Sequence, residues 1–349
     1  MLYLLPYLFS SVAKAGTFTD APGALQGDIS IQNSFLQAQD TLYQLEDPVG
    51  SRTMSHDQVN AVLLIGLIDV MSMKVNIPVG FQSISFQDVH QMQFDPLEEI
   101  GTYIDTPAGE DFKISGSGLE GIELSLHFYP FHKKIFNERG DTGNWNIGVL
   151  YRMPDNTHFY SPTESGTRGS GVGAAGLGLE TSFSKRKQHL EPYLQIKGLR
   201  SSAWNGSIRT PKGATLKKEA EFQPANTVDI RGGSEFFIWE DVALASYVTL
   251  DLFGEYHYQS FQQIPSNIYL PYVLETTWDK IITQTEVISF QGGIGTNIQL
   301  NSIYGMSIAG KVGYASPQQV EHIYPINTFG SFQWGVFTAL KFRYRTTAS

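Results

Sequence analysis

The chain has 349 residues, a net charge of -10 and no cysteine. The acidic balance argues against a nucleic-acid partner, and the missing thiols exclude disulfides and thiolate metal sites. Only 17% of residues are charged, against roughly 25% in soluble proteins, while 13% are aromatic, 34 are glycine and mean hydropathy is -0.16; a helical membrane protein is excluded, and a β-rich chain with two contrasting faces is favoured.

The first element is a signal peptide, residues 1–15. Leu2 to Phe9 form a short apolar run, and Ala13-Lys14-Ala15 reads as an A-x-A cleavage site before Gly16, although no basic residue precedes the run. The run is too short to span a bilayer. Residues 16–349 are then a single domain. Its most apolar stretch, Val62 to Met73, is broken by Gly66 and Asp69 and does not make a transmembrane helix.

Period-two alternation, the mark of a strand with two faces, recurs along the rest of the chain. Met71, Met73, Val75, Ile77, Val79 and Phe81 alternate with Ser72, Lys74, Asn76, Pro78, Gly80 and Gln82. Ile122, Leu124, Leu126 and Phe128 alternate with Glu123, Ser125 and His127. Val242, Leu244, Val248, Leu250, Leu252, Tyr256 and Tyr258 face away from Thr249, Asp251, Glu255 and His257. The last run places Phe332, Trp334, Val336, Leu340, Phe342 and Tyr344 on one side and Gln333, Lys341 and Arg343 on the other.

Twelve strands result, over 25–37, 58–70, 72–83, 119–129, 143–152, 171–184, 189–200, 228–238, 242–258, 282–299, 304–315 and 331–345. Most exceed the usual globular strand of about 5–6 residues and suit a tilted crossing of about 9–11. Their connections alternate: 38–57, 84–118, 153–170, 201–227, 259–281 and 316–330 are long, the others mostly short. Aromatic residues gather near the strand ends, Trp145, Tyr304, Phe342 and Tyr344 at one level and Tyr151, Tyr256, Tyr258, Tyr314, Phe332 and Trp334 at the other. Two aromatic girdles flanking an aliphatic band are what amphipathic rings build at two membrane interfaces. Backbone groups cannot stay unpaired in hydrocarbon, so the sheet must close. The expected fold is all-β: a transmembrane antiparallel up-and-down β-barrel of about twelve strands, with short periplasmic turns and long extracellular loops. A soluble β-sandwich would show Lys, Glu and Thr on its polar face, whereas runs such as "GVGAAGLGLETSFS" are rich in Gly and Ser.

The pattern resembles Gram-negative outer-membrane β-barrels along the whole chain. The resemblance implies the outer membrane as location, and lipid bilayer, lipopolysaccharide and the barrel assembly machinery as partners. Within that class, "GLIDVMSMKVNIPVGFQ" (Gly66 to Gln82) is similar to a hairpin of the transporters linked to phenol-degradation (MetA-pathway) gene clusters. That similarity implies a passive channel for small, aromatic molecules and identifies no binding residue.

Inward-facing charges form the candidate site. Pore-lining positions are Lys74, Glu123, Glu180, Lys197, Asp229, Arg231, Glu235, Asp251, Glu255, Lys311, Lys341 and Arg343. Bases gather on the last two strands, and acids of the 84–118 loop could pair with them. "GVGAAG" (Gly171 to Gly176) matches a dinucleotide fingerprint, but it enters a strand rather than a helix, so no cofactor is expected. His127 with His132 is too loosely spaced for a metal. Asp251, Glu255 and His257 share a face and could activate water, though an ion-pair network is the simpler reading. A Ser–His–Asn lipase set would need lipid-facing residues, and His158 and Ser161 fall in a loop. The expected function is passive passage of small solutes; a structural or interaction barrel is the alternative, and a barrel hydrolase the third.

Overall fold

A computed structural model describes residues 24, 26–44, 47–87, 112–130, 143–154, 174–209, 215–241, 243–265, 281–321, 326–328 and 330–344. The expected signal peptide lies outside them. Among the described residues no segment is helical. The strands are β1 (Gly27–Gln44), β2 (Asp47–Ile68), β3 (Met71–Gln87), β4 (Phe112–Leu119), β5 (Glu123–Phe128), β6 (Asn144–Arg152), β7 (Gly176–Ser184), β8 (Leu190–Ser201), β9 (Trp204–Arg209), β10 (Thr215–Phe222), β11 (Thr227–Asp241), β12 (Ser246–Gln259), β13 (Gln262–Pro265), β14 (Ile281–Gln284), β15 (Val287–Gln299), β16 (Tyr304–Ala315), β17 (Gln318–Glu321), β18 (Ile326–Thr328) and β19 (Ser331–Tyr344).

They make a closed antiparallel barrel of twelve staves. Neighbours in sequence pair from β1 to β3, β4 and β5 together form the fourth stave, and β6, β7, β8, β11, β12, β15, β16 and β19 follow. Closure comes from β19 lying against β1, from Gly27 opposite Tyr344 to Gln39 opposite Phe332. β13, β14, β17 and β18 lengthen the last four staves at the end away from the termini.

Burial follows the sequence parity. Along β19 residues alternate buried and exposed from Ser331 to Thr338, and β6 shows the same period. Ile31, Leu177, Leu179 and Leu340 are each about three-fifths exposed on the outer face. Aromatic pairs sit at both rims of this apolar band: Phe35 with Trp334 and Tyr256 with Phe290 at the far rim, and Tyr304 with Phe342 at the termini rim.

Several expected boundaries move. Residues 38–57 are not a long loop: β1 and β2 pair until Gln44 meets Asp47. Their pattern inverts here. Below this level the outside is apolar (Ile29, Ile31, Phe35) and the inside polar (Asp28, Ser30, Gln32, Ser34); above it Gln37, Gln39 and Thr41 face out while Leu36, Ala38 and Leu42 are buried inside. β2 and β3 invert at the same height, with Met54 and Ile84 inside and Thr53, Ser55, Ser83 and Ser85 outside. Ala38, Met54 and Ile84 lie in one row across the three strands. The wall thus leaves the hydrocarbon and continues into water, where apolar groups turn inward. The 201–227 connection contains the β9–β10 hairpin. The expected turn at 239–241 falls after Asp241, whose carboxylate accepts from the Ala243 and Leu244 amides. The tenth strand is interrupted at 285–286, and the sixth begins at Gly176.

The fourth strand is broken rather than continuous. Asn76 pairs with Glu123 and Val79 with Leu119, so residues 120–122 oppose only Ile77 and Pro78. One extra residue is a β-bulge. It explains how a proline sits in an interior strand, since Pro78 has no N–H to offer the ladder. Gly121 adopts a φ of 89°, a left-handed conformation that suits glycine. The bulge turns Glu120 into the lumen, where its carboxylate meets His56 Nε2 at 2.7 Å and accepts from the Gln58 amide.

Two outcomes test this architecture. Ile31→Arg, in the middle of the apolar band, is expected to destabilise the folded barrel by about 2–4 kcal/mol, and Gln39→Arg on the same face above the inversion by about 0–1. Urea unfolding in lipid vesicles compares them, and equal losses would refute the placement of the band. At the bulge, a Cβ on Gly80 would collide with the Glu120 carboxylate and meet His56 Nε2 at 2.8 Å. Gly80→Ala should displace Glu120 and cost about 1–3 kcal/mol. In a Glu120→Ala background the same change should cost far less, measured as heat-dissociation midpoints on gels.

Candidate functional site: the charged lumen

The polar parity of every stave meets inside the barrel. A charge taken from water into such an interior must find a partner, because its desolvation is otherwise uncompensated. The lumen is organised accordingly, in three levels.

At the termini end, Asp28 on β1 holds two bases of β19: Lys341 Nζ at 2.9 Å and Arg343 at 2.7 and 3.1 Å. Nearby, Ser184 donates to Glu191 at 2.6 Å, and the Asn297 amide donates to Glu235 at 2.6 Å. Just outside the band, Arg186 makes a bidentate pair with Glu240 at 3.0 and 2.6 Å and lies over the Phe237 ring.

The middle level carries pairs between both neighbouring and non-adjacent staves. Lys197 on β8 donates to both oxygens of Glu123 on β5 at 3.0 Å, with β6 and β7 between them. Lys74 on β3 lies 3.5 Å from Glu180 on β7. Arg231 on β11 reaches Asp251 at 3.0 Å and Glu255 at 3.2 Å on β12. It also donates to the Tyr193 hydroxyl at 3.2 Å and stacks 4.0 Å over Phe253. Lys311 on β16 closes the group through Glu255 at 2.7 Å. Asp229 and His257 Nδ1 are 2.5 Å apart. Lys197, Glu123, Arg231 and Glu255 are each at least nine-tenths buried. The Lys197–Glu123, Lys74–Glu180 and Lys311–Glu255 links are chords across the lumen, whereas the contacts of Arg231 and Asp229 are rungs between β11 and its neighbours β12 and β8.

The far level holds Arg52 bidentate on Asp40, at 3.0 and 2.5 Å, together with Glu120. It also carries a set of glutamines and serines on the last four staves.

All twelve charged positions named from sequence therefore lie on the inward parity, and eleven are joined in three groups: Asp28 with Lys341 and Arg343; Lys74 with Glu180, and Glu123 with Lys197; and Arg231, Asp251, Glu255 and Lys311, with Asp229 beside His257. Glu235 instead meets an amide. Wall acids, Asp28 and Glu255, hold the bases of the last two staves; the loop acids proposed for that role all lie in 88–111, outside the described residues. Sequence reading missed Glu120, His56, Arg52, Asp40, Tyr193 and Asn297. Pro78 within an alternating run was the available signal for Glu120, since proline there implies a bulge.

Ser125, His127 and Asn146 form a hydrogen-bonded series, with Ser125 Oγ 2.9 Å from Nε2 and Asn146 Oδ1 2.8 Å from Nδ1. The series superficially suits a nucleophilic serine. Glu180 lies 2.7 Å from the same Nε2, however, and an imidazole donating there has no lone pair left for a serine proton. The residues also face the lumen rather than lipid. His158, Ser161, His132 and the first residues of "GVGAAG" lie outside the described residues. Among the described residues no cluster of three or more His, Asp or Glu could hold a metal ion.

No protein-family model matches this chain, and no curated protein does. Among solved structures it is similar to an outer membrane channel from Pseudomonas putida F1, at 11% identity over 95% of this chain and all of the other, with a TM-score of 0.54. Also similar are a FadL homologue from Pseudomonas aeruginosa, at 8% identity, 92% and 90% coverage and a TM-score of 0.40, and the P. putida toluene transporter TodX, at 8%, 92% and 91% with a TM-score of 0.42. At these identities the likeness is one of fold, and the last two add nothing to the first. The chain has the fold of an outer-membrane β-barrel channel.

Proposed function

We propose that this protein is a non-enzymatic outer-membrane channel giving passive passage to small solutes. The observation that carries the reading is a closed twelve-stave wall, apolar outside and polar inside, with acids and bases facing one another across the lumen. Opposed charges at a constriction orient a passing solute and discriminate by charge and size. The termini end would face the periplasm and the far end the cell surface, as in barrels with this strand parity. Lipid and lipopolysaccharide would contact the outer band, and the assembly machinery would insert it. Chords such as Lys197–Glu123 make the lumen narrow, which restricts the route to small molecules and low conductance.

The same chords favour a second reading, a braced scaffold whose surface loops bind a partner. One experiment separates the two. Lys197→Met alone leaves Glu123 buried without its main cation and should cost about 3–5 kcal/mol. Adding Glu123→Gln should restore most of that loss, read by urea midpoint. In planar bilayers a channel passes current as wild type and more current as the double variant, whose lumen has lost a chord. Silence from both would reject the channel.

A further inference from the structure

The far third of the lumen is chemically unlike the middle. On the inward parity of the last four staves it presents amides and hydroxyls instead of charges. Gln262 donates to Gln284 at 2.6 Å, and Gln284 to Gln318 at 3.0 Å, an amide ladder across β13, β14 and β17. One layer toward the middle, Gln291 donates to Gln333 at 2.7 Å. Between the two ladders lie Gln259, Ser289 and Ser331. Register holds them together: Gln259 is opposite Val287, Ser289 opposite Ala315, and Ala315 opposite Ser331.

Six polar atoms in this patch have no hydrogen-bond partner among the described residues: Gln259 Nε2 and Oε1, Ser289 Oγ, Gln291 Oε1, Gln318 Nε2 and Ser331 Oγ. Their residues are between 0% and 6% exposed. A buried polar atom left unpaired is costly, and native structures seldom tolerate a group of them without an occupant. The six include donors and acceptors in mixed order and no ionised group. The nearest titratable group on these staves is His257, which is opposite Ser289, is paired through Nδ1 with Asp229 at 2.5 Å and has no hydrogen-bond partner for Nε2 among the described residues; Lys311 and Glu255, one step further in, satisfy each other at 2.7 Å.

We propose that this patch is a binding subsite for a neutral, polyhydroxylated solute of the polyol or monosaccharide class. The inference rests on the channel reading for its biological sense, since it names what the channel would take. An anion would find no cation among these six atoms. An apolar ring would leave all six unpaired. A single hydroxyl would satisfy two at most. Adjacent hydroxyls, each donating and accepting, can match the whole set.

The test uses the full-length barrel in detergent and saturation-transfer NMR, a readout independent of transport. D-glucose and mannitol should show transfer in the wild type, and phenol little. Gln259→Leu with Gln318→Leu should cut the sugar signal at least about threefold while heat-modifiable migration stays native. If that pair does not fold, Ser289→Ala with Ser331→Ala removes two of the six groups with almost no change in volume and should lower the signal about twofold. Sugar signal in a barrel that carries no current would uphold the subsite and overturn the channel reading. Current without sugar signal, meaning that the patch holds water only, would overturn the subsite and leave the channel standing. A phenol signal equal to that of sugar, or sugar signal unchanged in folded variants, would also overturn it.

Discussion

Everything in this molecule depends on the backbone amide in hydrocarbon. An N–H or C=O facing lipid without a partner costs several kcal/mol, so a sheet in a bilayer has no admissible edge. The β1–β19 ladder removes the last one. Closure then dictates the rest. The first stave begins and the last stave ends at one rim, where Gly27 lies so near the Tyr344 ring that a side chain would stand 2.5 Å from it. Every stave has one face to lipid and one to the lumen. A residue's environment is thereby set by its parity, and an error of one position would exchange the two solvents for a whole strand.

Parity alone does not say which face is apolar. On β1, β2 and β3 the answer changes along the strand. Within the band the outer residues are Ile29, Ile31 and Phe35; beyond it the buried inner residues are Leu36, Ala38, Met54 and Ile84. The same ladder continues through both regions. The inversion marks where the outer solvent changes from hydrocarbon to water, and it allows a long stave without an exposed greasy rim.

Inside, the electrostatics follow from enclosure. Charges that would be ordinary on a soluble surface are here stripped of most solvent, and their partners are chosen across space. Arg231 serves two acids and a tyrosine, and Glu255 serves two bases. Such shared pairing satisfies more donors and acceptors per charge than isolated pairs would. The Asp28 group at one end, the charged middle, and a far level where Glu120 and the uncharged amide patch lie on different staves give the lumen three chemically distinct levels.

The alternation that recurs along the chain, as in β3, β5, β12 and β19, determined the fold class, the number of staves and the inward side of the charged residues, because period two is a local property of an extended backbone. Gly and Ser in place of Lys and Thr on the polar face also spoke for a crowded interior. Other features were decided only by the tertiary structure. The β1–β2 hairpin reads as a loop because its outer face becomes polar, and polarity on the outside has meaning only once the membrane boundary is placed. The break in the fourth strand depends on which residues of β3 it meets, and Pro78 was the sole local sign. Lys197 and Glu123 stand 74 positions apart, and the Gln259, Ser289 and Ser331 patch unites three strands. Their neighbourhood is fixed by the register of the closed barrel, a sum over all twelve ladders that no single stretch of chain contains.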